Sequence, residues 1–305
     1  MEKTIIRITT VPMAFKVLLA GQIKYMNEHG FKVIMVSADG KERNDVINAE
    51  GCEHIIVPMT RKITPFSDLV SFFRLRKLIK KYKPVIVHTH TPKAGLLGMM
   101  AAKAAGVKIR IHTVAGLPLM LETGLKRKLL EFTEKLTYGL ATEVRPNSKS
   151  MYNFILENKL VDPAKLLIIG NGSTNGVEAK KFSKANLQSS QLQNIQHSIK
   201  MIPGALKILC VGRMVKDKGI EELIHVFKWL QPLYNIQLIL VGPFEPHLDP
   251  LSQPTMREIE SNPAITHIDW SDAVEYYMGL ADIFVHPSHR EGFPNVILQA
   301  GAMQL

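Results

Sequence analysis

Asp282-Ile283-Phe284-Val285-His286-Pro287 reads as a short buried strand running into Ser288-His289-Arg290-Glu291-Gly292-Phe293-Pro294-Asn295, and an apolar helix follows over about residues 296–303. A strand, a tight turn holding a carboxylate and a glycine, and a helix start together present backbone N–H groups and a positive dipole end to an anionic ligand. Glu291 sits where it can instead grip ligand hydroxyls. Alone, the stretch also fits an ordinary βα loop of an α/β protein.

A second strand-turn-helix unit lies upstream, with Leu206-Lys207-Ile208-Leu209-Cys210-Val211 as its strand and a helix from Ile220 to about Leu230. Arg213 and Lys218 flank the turn between them. They suit a diphosphate clamp, the guanidinium through its planar fork and the ammonium as a point charge. Ligands of open α/β sheets bind beyond the carboxyl ends of the strands, so both turns are expected to open onto one crevice. Each cation alone also fits a solvated surface side chain.

Gly212-Arg213 with Lys218-Gly219, followed about seventy residues later by Pro287-Ser288 and Glu291-Gly292-Phe293-Pro294-Asn295, resembles the retaining GT-B glycosyltransferases of family 4. The stretches His90-Thr91-Pro92-Lys93-Ala94-Gly95-Leu96-Leu97-Gly98, His112-Thr113-Val114-Ala115-Gly116-Leu117-Pro118 and Gly170-Asn171-Gly172-Ser173-Thr174-Asn175-Gly176-Val177-Glu178 resemble its capsular and lipid-linked oligosaccharide branch. The resemblance implies an α/β fold of two Rossmann-like doubly wound domains whose parallel sheets face across a cleft. It implies transfer of a sugar, an N-acetylhexosamine by expectation, from a UDP-sugar to a polyprenyl-diphosphate-linked glycan, with retention at the anomeric carbon.

Carried onto this chain, the resemblance makes Glu291 and His112 catalytic. It makes Arg213, Lys218, Gly292, Phe293, Pro294, Asn295 and Gln299 donor-binding, and Thr10, His90 and Lys93 acceptor-side. His112 by itself also fits a hydrogen-bonded core histidine. No Asp-x-Asp pair occurs in the chain, so no metal and no cofactor is expected, the diphosphate being neutralised by side-chain cations. His88 and His90, two apart on a strand, have a spacing that can hold a metal, but no third ligand lies close in sequence.

The 305 residues suffice for two domains, read as residues 1–178, a polar linker at 179–205, and residues 206–305. There is no 18-residue apolar run and no signal-peptide core, and Cys52 and Cys210 read as buried thiols of a cytoplasmic protein. Charge is uneven: residues 1–178 carry 27 Lys and Arg against 15 Asp and Glu, a net of +12, whereas the remainder carries 11 against 12. Residues 68–83 read as an amphipathic basic helix that either rests on an anionic bilayer or packs on the sheet with a solvated basic face. Lys126-Arg127-Lys128, following the apolar loop 117–121, favours the membrane, and hence a peripheral protein at the inner face of the plasma membrane. Nucleic acid is a poor fit, because no stacking pattern or recognition motif accompanies the basic residues.

Three features depart from the family pattern. Gln299 stands where a second glutamate is usual, which leaves hydrogen bonding to the nucleotide ribose but removes a charge. Thr9-Thr10-Val11-Pro12-Met13-Ala14-Phe15 replaces a glycine-rich turn after the first strand, and the chain ends at Leu305, where relatives continue. The second domain is therefore expected to be truncated, with poor donor binding and slow turnover. The rival readings are a UDP-sugar 2-epimerase of the same architecture and a non-catalytic nucleotide-sugar or membrane-binding protein.

Overall fold

The computed structural model describes residues 3–305 except 121, 248 and 290, so Leu121 and Arg290 of the stretches above lie outside the described residues. The chain divides into two compact units, residues 1–175 and 176–305.

The first unit contains β1 (Lys3–Ile8), α1 (Pro12–Leu18), α2 (Gln22–Glu28), β2 (Phe31–Ser37), α3 (Arg43–Glu50), β3 (His54–Ile56) and α4 (Pro65–Tyr82). It continues through β4 (Ile86–Thr89), α5 (Pro92–Ala104), β5 (Ile109–Val114), α6 (Gly124–Leu140), β6 (Glu143–Pro146) and α7 (Lys149–Glu157). Its strands form one parallel sheet in the order β3-β2-β1-β4-β5-β6, a doubly wound arrangement with its switch point between β1 and β4.

Side chains alternate across the pleat. Ile6, Ile8, Val87 and Val144 point into one core with Leu75, Leu78 and Ile79 of α4, Leu97 of α5 and Tyr138 of α6. Ile5, Val33 and Met35 point the other way, into a second core with Phe15 of α1 and Ile23 of α2. The glycines of α5 let it lie flush on the sheet: a Cβ on Gly95 would stand 2.5 Å from Cε1 of His112, and one on Gly98 2.6 Å from Cγ2 of Thr89.

Two sequence expectations change here. Of the apolar loop, Leu117 and Leu119 do not face outward but are buried in the core. The exposed apolar stripe belongs instead to the helix after it, as Leu125, Leu129, Phe132 and Leu136 recur at helical spacing on α6. On α4, Leu75, Leu78 and Ile79 pack inward while Phe66, Leu69, Val70 and Phe73 are exposed, with exposed Arg74, Lys77, Lys80 and Lys81 continuing the outer face.

His112 is buried at 2 % exposure, bonded through Nδ1 to Thr89 Oγ1 at 2.7 Å and tilted against Tyr138. Burial holds its pKa down to about 4. The depressed value means that its neutral form stabilises the fold at pH values above the unfolded pKa near 6.5, and that this stability is lost as pH falls through 4. Acidification over that window is expected to cost the first unit about 3 kcal/mol at this residue. Urea unfolding of wild type and His112→Asn at pH 7 and pH 4.5 checks this, and a loss equally large in the variant would refute it.

The second unit contains α8 (Ser189–Ser198), β7 (Leu206–Val211), α9 (Ile220–Leu230), β8 (Ile236–Val241), α10 (Gln253–Ser261), β9 (Ile265–Ile268), α11 (Val274–Leu280), β10 (Ile283–Phe284) and α12 (Asn295–Ala302). Its sheet is parallel, in the order β10-β7-β8-β9. The stretch read as a polar linker folds into α8, whose Leu192 and Ile195, with neighbouring Leu187, pack against the core around Tyr277, Met278 and Met303. Its glutamines and serines mask a helical period carried by only a few apolar residues.

Candidate functional site

β10 lies beside β7 in parallel register, Ile283 opposite Ile208 and Phe284 opposite Leu209, so the two strands end at the same edge. The loops that follow are tied together. Gly219 takes a left-handed φ of 69°, and a Cβ there would stand 2.2 Å from the carbonyl oxygen of Pro287. The His289 amide donates to the Asp217 carbonyl at 3.1 Å.

This apposition brings together side chains far apart in sequence. Lys218 Nζ donates to Glu291 Oε1 at 2.5 Å, and His286 Nε2 reaches the same oxygen at 2.8 Å. Lys218 also lies 3.4 Å from Ser288 Oγ. Partial burial opposes ionisation of Glu291, but the hydrogen bonds from His286 and Lys218 and the ammonium charge outweigh it and bring its pKa down to about 2. Glu291 is therefore a carboxylate at any pH near neutrality, aimed and held by two donors.

Arg213, after β7, pairs with Glu245 in the loop after β8, Nη1 to Oε2 at 2.5 Å. The two loops nearly touch: Met214 N donates to the Pro243 carbonyl at 2.8 Å, and Gly242 lies against Gly212. Each cation of the expected clamp thus carries a carboxylate from its own chain. Gly292, Phe293 and Pro294 form the half-buried loop leading into α12, where Asn295 and Gln299, four apart, share one helix face.

The expected first-unit residues do not gather in one way. Thr10 Oγ1 and N both bond Thr91 Oγ1, closing the end of β1 onto the start of α5. Lys93 is locked to Asp68 of α4 at 2.6 Å. His90 is buried beside His88, their ring centroids 4.1 Å apart, and accepts from Arg7 Nε at 2.9 Å. His112, expected at a cleft beside the reacting sugar, points into the opposite core, because its odd register on β5 turns it under Gly95. The ring packs against Gly95 and Tyr138 and is hydrogen-bonded to Thr89.

Sequence reasoning missed His286 and Glu245. Both stand just past strand ends, the one signal that could have found them. Among the described residues no cluster of three or more His, Cys, Asp or Glu is placed to hold a metal, and no helix is long and apolar enough to cross a membrane.

Residues 7–148 match the family described as Glycosyl transferase 4-like, and residues 205–305 match Glycosyl transferases group 1. A capsular polysaccharide biosynthesis glycosyltransferase of Staphylococcus aureus is 37% identical over 290 residues, covering 94% of this chain and 74% of that protein. The chain is a glycosyltransferase of this family. An Escherichia coli UDP-Gal:alpha-D-GlcNAc-diphosphoundecaprenol alpha-1,3-galactosyltransferase is 25% identical over 277 residues, 88% of this glycosyltransferase and 69% of its own length. The solved structure of a glycosyltransferase from Rickettsia africae superposes with a TM-score of 0.75 at 22% identity, over 99% of this chain and 78% of that one. That likeness, with two parallel sheets flanked by helices, gives the glycosyltransferase the GT-B fold.

Proposed function

We propose that this glycosyltransferase moves an N-acetylhexosamine from a UDP-sugar, with retention at the anomeric carbon, to a glycan carried on a polyprenyl diphosphate. The observation that carries this reading is Glu291, ionised and fixed between Lys218 and His286 at the shared edge of β7 and β10. A rigid carboxylate accepts from donor-sugar hydroxyls and fixes the ring in one pose. Lys218 and Arg213, with the amides opening α12, face the departing diphosphate, and each stabilises charge that grows as the bond to the anomeric carbon breaks. Gln299 supplies a neutral contact to the ribose. The lipid-linked acceptor is supported by the diphosphoundecaprenol substrate in the name of the E. coli relative.

Side-chain cations take the role a divalent ion has elsewhere, so EDTA is expected to leave the initial rate within twofold; a loss above tenfold that magnesium restores would remove this part of the proposal. Acceptor-dependent release of UDP separates transfer from epimerisation, which needs no acceptor, and from binding alone.

The outer face of α4 supports docking on an anionic bilayer, since Phe66 and Phe73 are exposed beside exposed Arg74 and Lys77. Vesicles rich in phosphatidylglycerol are expected to co-sediment the protein, and Phe66→Ser with Phe73→Ser to weaken this at least tenfold without changing the far-UV spectrum. Equal binding by the variant would place the contact elsewhere.

A further inference from the structure

The segment after β8 that carries Glu245 is firmly mounted. Met214 N donates to the Pro243 carbonyl at 2.8 Å, and Phe244 lies on the ring of His267 in β9, with centroids 4.4 Å apart. His267 Nε2 in turn donates to the Gly242 carbonyl at 2.8 Å. Farther along, Asp249 Oδ2 accepts from the Asp217 amide at 2.7 Å, and Glu221 Oε1 accepts from the Ser252 amide at 2.6 Å. Bonds between a carboxylate and an amide are charge-assisted, so the segment grips the loop bearing Arg213 and Lys218 from both ends.

Arg213, by contrast, is a long side chain that follows Gly212 in a loop. An arginine free to rotate gives up rotamer entropy each time a ligand pins it. Here Glu245 Oε2 holds Nη1 at 2.5 Å before any ligand arrives. Nε and Nη2, the side-on edge of the guanidinium, make no hydrogen bond among the described residues, and the side chain is 39 % exposed. That edge is a planar fork of N–H donors whose spacing matches two phosphoryl oxygens.

We propose that Glu245 is a positioning residue for the donor diphosphate, setting Arg213 so that its Nε–Nη2 fork receives phosphoryl oxygens while Nη1 stays paired. This role rests on the donor assignment above. It also has a sign that separates it from plain electrostatics. By charge alone a carboxylate beside a diphosphate repels it, so its removal tightens binding. By positioning, its removal weakens binding.

UDP is titrated calorimetrically into the full chain and its variants, each checked for its far-UV spectrum. Glu245→Met, which keeps bulk but no acceptor, is expected to weaken UDP binding about tenfold, and Glu245→Ala to do the same. Glu245→Gln, whose Oε1 still accepts from Nη1, is expected to stay within about threefold of wild type. In an Arg213→Met background Glu245→Met is expected to cause no further loss, because the two residues act through one contact. Unchanged or tighter binding by Glu245→Met and Glu245→Ala overturns the role. An equal loss in the glutamine variant, or a further loss in the Arg213→Met background, overturns it as well, since a general effect on the loop would give either. A wild-type chain without affinity for UDP overturns the donor assignment and this role together, whereas UDP binding that ignores Glu245 overturns this role alone.

Discussion

Replacing Glu291 by glutamine is expected to lower kcat by about 10²–10³-fold, as removal of one fixed contact to a developing transition state commonly does. The amide keeps the shape but gives up the charge that Lys218 and His286 hold in place, and turns one end into a donor facing two donors. Lys218→Met is expected to cost a similar factor, because under the proposed function it removes a cation facing the diphosphate, and it also frees Glu291 from its 2.5 Å anchor. Since the two act as a unit, the double variant is expected to lose about as much as the worse single one. Initial rates of UDP release at saturating donor, with the fold checked by circular dichroism, measure all three. Rates within threefold of wild type for Glu291→Gln would take this carboxylate out of the reaction.

Gly219→Ala is expected to be nearly as damaging, although it adds one methyl group. The residue has a left-handed φ, which costs a non-glycine about 1–2 kcal/mol. The new Cβ also meets a backbone carbonyl, that of Pro287 at 2.2 Å, which has no rotamer by which to retreat. The loops after β7 and β10 must separate, carrying Lys218 away from Glu291, and turnover is expected to drop at least about 100-fold, as small misplacements of positioning groups do. Gly51→Ala is the control: its φ of 67° is alike, but nothing lies within 4 Å of the added atom. That variant is expected to lose only about 1 kcal/mol of stability and to keep full activity. Matching activity in the two variants would show that loop apposition is immaterial.

Much of the second unit was legible in order along the chain. The strand 206–211, the helix ending at Leu230 and the strand 236–241 stand where periodicity and turn residues put them. Arg213, Lys218 and Glu291 were singled out from local spacing, and all three stand in the loops that follow β7 and β10 in the folded unit. The pairing of Lys218 with Glu291 was not legible, because 73 residues separate them and only the β10–β7 register joins their loops. His286 escaped notice for the same reason: its partner is defined by that loop's path.

In the first unit, residue alternation showed which side chains share a face of the sheet, but not which face each set of helices covers. Arg7 and His88 are register partners turned toward α2, whereas His112 is turned toward α5, one pleat out of step. The ring of His112 thereby lies buried beside Tyr138, and His88 and His90 lie against the buried guanidinium of Arg7. Sequence alone determined the family, the parallel α/β architecture and the residue types gathered at strand ends, because backbone periodicity and turn chemistry are local. Burial, partners and charge balance at each side chain were decided only by tertiary packing, since they depend on atoms brought close from distant parts of the chain.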